Sequence, residues 1–234
     1  MMPLIVLRPE PGASTTVARA EMMGLAVRRH PLFTARTLDW SPPSADQFDA
    51  LLVTSAQTAR LAGPALDRYD ALPIYAVGEP TAAALRSRGF SDIVAGSTDG
   101  TAIAARMAAD GHRVILHLAG ETVATIEPGP LTINRVAVYT MVETKVGDPL
   151  LADIAEGAII LVHSPRAGAR LAQLVPPALR AMSHVIAISP AALDAAGEGW
   201  TSGAAAETPL DDRVLALAAR LCESLRDRAG KRAT

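Results

Sequence analysis

The chain has 234 residues, half of them hydrophobic and 20% charged, with a formal charge of −2. That is a globular composition with room for one large or two small cores, and it excludes a disordered chain. A near-neutral charge with only 3% aromatics gives no basic surface and few stacking rings, so a nucleic-acid partner is not expected.

The chain starts with "LIVLR" at 4–8, a strand-like run without the basic start or cleavage site of a secretory signal. No run reaches ~18 apolar residues, so no membrane span and a cytoplasmic protein are expected. A helical pattern, "STTVARAEMMG", follows, and then "LAVRR" at 25–29. After this, "HPLFTARTLDW" (30–40) alternates like an exposed strand, and "SPPSAD" reads as an extended turn. "ALLVTS" (50–55), "PIYAVG" (73–78), "DIVAG" (92–96) and "RVILHLAG" (113–120) are short apolar runs, and helical patterns follow the first three. A second alternating segment is "NRVAVYTMVETK" at 134–145. The pattern then restarts with "AIILVHS" (158–164) and "HVIAIS" (184–189) and closes on a long amphipathic helix carrying the single cysteine, Cys222. One thiol makes neither an internal disulfide nor a metal cluster, and Cys222 is expected to be a buried small hydrophobe.

Strands alternating with helices predict parallel sheets built from βαβ units. There is also a weak internal repeat. Ser55 and Ser164 stand 109 residues apart, Gly78 and Ser189 stand 111 apart, and Gly89-Phe90 and Gly199-Trp200 stand 110 apart. The second copy lacks a first βα unit, and only the N-terminus can supply one. The expected architecture is therefore α/β, with two flavodoxin-like parallel-sheet domains, one inserted in the other. Residues 1–30 with 149–234 form the outer domain, 44–130 the inserted one, and 31–43 with 131–148 a two-stranded β connector that serves as a hinge.

The opening "LIVLRPEP", "FDALLVTSAQTAR", "PIYAVGEPTAAALRSRGF", "HLAGE", "VAVYTMVE", "AIILVHSPRAG" and "VIAISPAAL" occur in an order and spacing that resembles the uroporphyrinogen-III synthases. The resemblance spans essentially the whole chain. It implies two flavodoxin-like domains and a cofactor-free, metal-free lyase of tetrapyrrole (heme) biosynthesis. The implied reaction cyclises hydroxymethylbilane to uroporphyrinogen III with loss of water and inversion of ring D. In the family's scheme, loss of hydroxide gives an azafulvene-type cation that closes through a spiro intermediate. Gln57 and Ala192 depart from the family pattern, standing where a basic residue and a threonine are common.

The bilane carries an acetate and a propionate on each ring, so its enzyme has to hold many carboxylates and fold a flexible chain. Hydroxyls and backbone N–H groups beyond the carboxyl ends of parallel strands suit that task. Thr54, Ser55, Gly78, Thr81, Gly120, Ser164 and Ser189 fall at such turns and are the expected substrate-binding set. A serine at each of two matching strand ends could grip one ligand from both domains; capping the following helix is the alternative use of each. Arg8 and Arg166, each beside a strand end, could pair with substrate carboxylates. Tyr139 matches a family tyrosine proposed to assist departure of the hydroxyl, and a neutral phenol can donate that hydrogen bond. The expected partner is this small molecule alone, bound by a monomer. The competing reading is a non-catalytic two-domain binder of a small anionic ligand. A nucleotide enzyme is not indicated, because neither GxGxxG nor GxxxxGK[ST] occurs.

Overall fold

The computed structural model describes residues 2–96, 99–145 and 148–232, with side chains as far as 227. In chain order its elements are β1 (Leu4–Val6), α1 (Gly12–Met22), β2 (Val27–Arg29), β3 (Phe33–Thr37), β4 (Ala50–Val53), α2 (Ala56–Leu61), β5 (Ile74–Val77), α3 (Glu79–Arg86), β6 (Ile93–Gly96), α4 (Gly100–Ala109) and β7 (Val114–Gly120). There follow β8 (Thr132–Glu143), α5 (Asp148–Ala155), β9 (Ile159–Val162), α6 (Pro165–Leu174), α7 (Pro177–Arg180), β10 (His184–Ala187), α8 (Pro190–Ala195), β11 (Ser202–Ala205) and α9 (Asp211–Arg232). Two compact units result, one of Met1–Thr34 with Glu143–Thr234 and the other of Ala35–Val142.

In the first unit the sheet order is β11-β10-β9-β1-β2, with every pair parallel. Counted within the unit this is the doubly wound order 2-1-3-4-5, whose switch point lies between β1 and β9. Helices on both faces leave the central strands no solvent, which is why "LIV", "IILV" and "HVIA" are buried at every position. Val214, Leu215, Ala218 and Cys222 of α9 join this core, and the thiol is buried.

The second unit has the order β3-β8-β7-β4-β5-β6. Its parallel part reads 3-2-1-4-5, with the switch point between β4 and β7. The two alternating segments form β3 and β8. They are hydrogen-bonded neighbours, and β8 also extends the sheet by pairing with β7. Two of the three repeat pairs are structurally alike, whereas Gly78 (φ 79°) and Ser189 (φ −156°) both precede a helix but with different backbones. Ser55 and Ser164 follow β4 and β9, and Gly89 and Gly199, beyond α3 and α8, adopt φ of 101° and 92°. Those left-handed turns favour glycine.

Candidate functional site

In the second unit the switch point opens between the ends of β4 and β7. Ser55 is extended there and caps α2, its Oγ accepting the Gln57 N–H at 3.1 Å. Thr54, one residue earlier, shares a 3.0 Å hydrogen bond with His117 Nε2. The β4–β7 register dictates that contact. Leu52 pairs with His117, so Thr54 lies two residues on along the same face. His117 is 2% exposed. Burial, helped by the Arg135 charge, pushes its pKa down to about 4, which leaves the ring neutral at neutral pH.

Tyr139 comes from β8. Its register partner is Gly120, beside an irregularity of the ladder at Ala119/Gly120. A Cβ on Gly120 would stand 2.8 Å from Tyr139 Cζ and 3.0 Å from its hydroxyl, so the glycine leaves the space the phenol fills. The Glu121 N–H donates to the Tyr139 carbonyl at 2.8 Å, fixing the strand at that point. Thr54, Ser55, Val77, Thr101, Thr122 and Tyr139 line one cavity of about 580 Å³. Asp99 also faces it, its carboxylate accepting the Ala102 N–H as the cap of α4.

The expected site residues therefore divide. Thr54, Ser55 and Tyr139 share this cavity, and Gly120 is packed beneath the tyrosine. Gly78, at φ 79°, turns the chain from Val77 into α3. Thr81 is buried within α3 at 4% exposure, and neither it nor Gly78 lines the cavity.

In the first unit Ser164 and Ser189 cap α6 and α8, accepting N–H groups from Ala167 at 3.1 Å and Ala192 at 3.3 Å. Each of these hydroxyls keeps its own O–H to donate. Arg8 is half-buried and engaged through its Nη1. It donates to Asp211 and to Thr16, both at 3.2 Å. Asp211 also accepts from Thr16 at 2.8 Å and from Arg19, and it meets His163 Nε2 at 2.9 Å. Burial opposes the Asp211 charge, but hydrogen bonds from His163 and Thr16 and the charges of His163 and Arg8 outweigh it. The carboxyl is held down at about 2. The Arg166 guanidinium lies over the Phe33 ring, 4.5 Å from its centroid.

Sequence reasoning missed His117, Arg135, Asp99 and Asp211. The available signal was His117 itself, a polar residue in the middle of a buried strand. Among the described residues no group of three or more His, Cys, Asp or Glu side chains is placed to hold a metal ion.

A family model described as Uroporphyrinogen-III synthase HemD matches residues 14–216. The solved uroporphyrinogen-III synthetase of Helicobacter pylori is 16% identical and aligns over 94% of this chain and 100% of its own, with a TM-score of 0.66. A mutant uroporphyrinogen III synthase from Thermus thermophilus, also 16% identical, aligns over 95% of this chain and 99% of its own with a TM-score of 0.47. No curated protein sequence matches.

Proposed function

Because the chain belongs to the uroporphyrinogen-III synthase family, as a cyclising lyase of tetrapyrrole biosynthesis, we propose that the reacting end of hydroxymethylbilane is held in the cavity of the second unit. The observation that carries this is the meeting of a buried phenol, Tyr139, with the hydroxyls of Thr54 and Ser55 at a topological switch point. The bilane hydroxyl departs as water if it receives a proton, and the Tyr139 O–H is the donor. The resulting cation is attacked first by the substituted α-carbon of ring D, which carries no proton. The spiro intermediate opens by breaking that carbon's bond to the methylene of the neighbouring ring. Reclosure at the unsubstituted α-carbon of ring D releases the proton that returns to the phenolate. Atoms then balance as one water lost per macrocycle formed.

The hydroxyls act as positioning groups. Thr54 is oriented by its bond to neutral His117, and Ser55 has an O–H to spare once its lone pair has capped α2. In the first unit Ser164, Ser189 and Arg166 are assigned to further substrate carboxylates. Arg8 is assigned to Asp211. The insertion of one unit's sequence in the other, with 31–43 and 131–148 as the hinge, belongs to the same reading. So do a monomer, a cytoplasmic location and the absence of a nucleic-acid partner. Supporting these are the near-neutral charge and the fact that no described helix is long and apolar enough to cross a membrane.

The test is conversion of hydroxymethylbilane by wild type and by Thr54→Val, a near-isosteric change that removes one hydroxyl. Losing one positioned hydrogen bond costs about 1–3 kcal/mol, so kcat/KM should fall about 5- to 150-fold. An unchanged value would remove Thr54 from the site.

A further inference from the structure

β7 and β8 are parallel neighbours, and such a pair needs a crossover that is usually helical. Here the crossover is residues 121–131, which contain no helix and turn at Gly129-Pro130. Over these two strands the sheet is therefore covered by an extended strap, and a cavity of about 520 Å³ is left beneath it. That is the size of a small-ligand site, typically about 300–1,000 Å³. It is lined by buried His117, half-buried Ile133 and, on its exposed side, Arg135, the cross-strand partner of His117.

The strap is pinned at both ends. Arg135 Nη1 donates to the carbonyls of Gly120 at 3.3 Å and Glu121 at 2.9 Å. Thr140 Oγ1 donates to the Glu121 carboxylate at 2.6 Å, which ties up the acidic group lining the cavity. At the far end the Glu127 N–H donates to Thr101 Oγ1 at 3.1 Å, and Ile126 packs against Gly100. The strap residues 122–126 line this cavity and the Tyr139 cavity alike, so they form a shared wall. The Thr54–His117 hydrogen bond joins the two spaces at the sheet.

Arg135 is the only cation lining the strap cavity among the described residues. Its bonds to the strap use Nη1, and no described residue accepts from Nε or Nη2. That remaining edge of the guanidinium is the fork that meets both oxygens of a carboxylate. We infer that the strap cavity is a carboxylate subsite, in which Arg135 receives one acetate or propionate arm of the substrate whose ring reacts beside Tyr139. The inference rests on the assignment of the reaction to the Tyr139 cavity.

Arg135→Gln tests it, because glutamine keeps an N–H for the strap carbonyls and loses the charge. With hydroxymethylbilane as substrate, KM should rise about 10- to 100-fold, the worth of a charge-assisted pair, with kcat within about threefold and the type III product retained. The wild-type KM should climb with added NaCl, and the variant's should climb less, because one screened charge is gone. Arg135→Lys should recover part of the loss. It also carries the comparison should the glutamine variant melt early. A KM within twofold of wild type in Arg135→Gln, with type III still formed, would overturn the subsite alone. A fall in kcat with an unchanged salt slope would overturn it too, marking Arg135 as a strap anchor. A wild type that forms only the type I isomer would instead overturn the reaction-site assignment and the subsite with it.

Discussion

Replacing Tyr139 with phenylalanine should lower turnover by about 10²–10⁴-fold, the usual worth of a positioned general acid, with little change in melting temperature. The ring is 8% exposed and seated on Gly120, and phenylalanine keeps that packing while removing the only proton the side chain can give. The loss should therefore appear in kcat, whereas Thr54→Val, which touches a positioning group, should cost less. Steady-state rates of both variants beside their melting curves separate the two roles. A Tyr139→Phe enzyme within about threefold of wild type, a difference of only ~0.7 kcal/mol, would reduce the tyrosine to packing.

Asp211→Ala should be strongly destabilising for the first unit. The carboxylate ties the start of α9 to Arg8 after β1, to Thr16 and Arg19 on α1, and to His163 after β9. Removing it strands those donors. Among the described residues the buried His163 Nδ1 already has no partner, so alanine would leave both ring nitrogens without one. Loss of one member of a buried pair costs about 3–5 kcal/mol; since the Arg8 side chain is 30% exposed, about 3 kcal/mol is expected here. For a chain of this length that corresponds to roughly 6–12 °C in Tm. The effect has a pH signature. With the folded carboxyl at about 2 against 3.8 for the free group, the stabilisation is complete above pH ~4 and disappears as pH falls towards 2. The gap in Tm between wild type and variant should therefore close over that window, and a gap independent of pH would contradict the assignment.

Much of the fold could be read from burial patterns. Runs such as "ALLV" and "IILV" are apolar throughout because parallel strands between two helical layers have no wet face. The serines closing β4 and β9 could be placed at strand ends because the same residues start the next helix. Their capping bonds and their candidate binding role arise from one location. What stayed hidden depended on contacts between distant segments. His117 meets Thr54, 63 residues earlier, only because β4 and β7 are adjacent in a particular register. Arg8 reads as a fully available cation until Asp211, 203 residues later, is seen to engage its Nη1. The strap cavity depends on the missing crossover helix. "EPGP" at 127–130 argues against a helix, but neither its partner face nor its contact with Arg135 follows from local pattern.

The most direct test is to incubate freshly made hydroxymethylbilane with chelator-dialysed protein, without added cofactor, and to resolve the isomers of the cyclised product. Predominantly type III product, formed faster than spontaneous closure, is the predicted result, since inversion of ring D requires the bilane to be held while its hydroxyl leaves. Type I product alone, at the spontaneous rate, would contradict the account and leave a protein that binds a polycarboxylate without closing it.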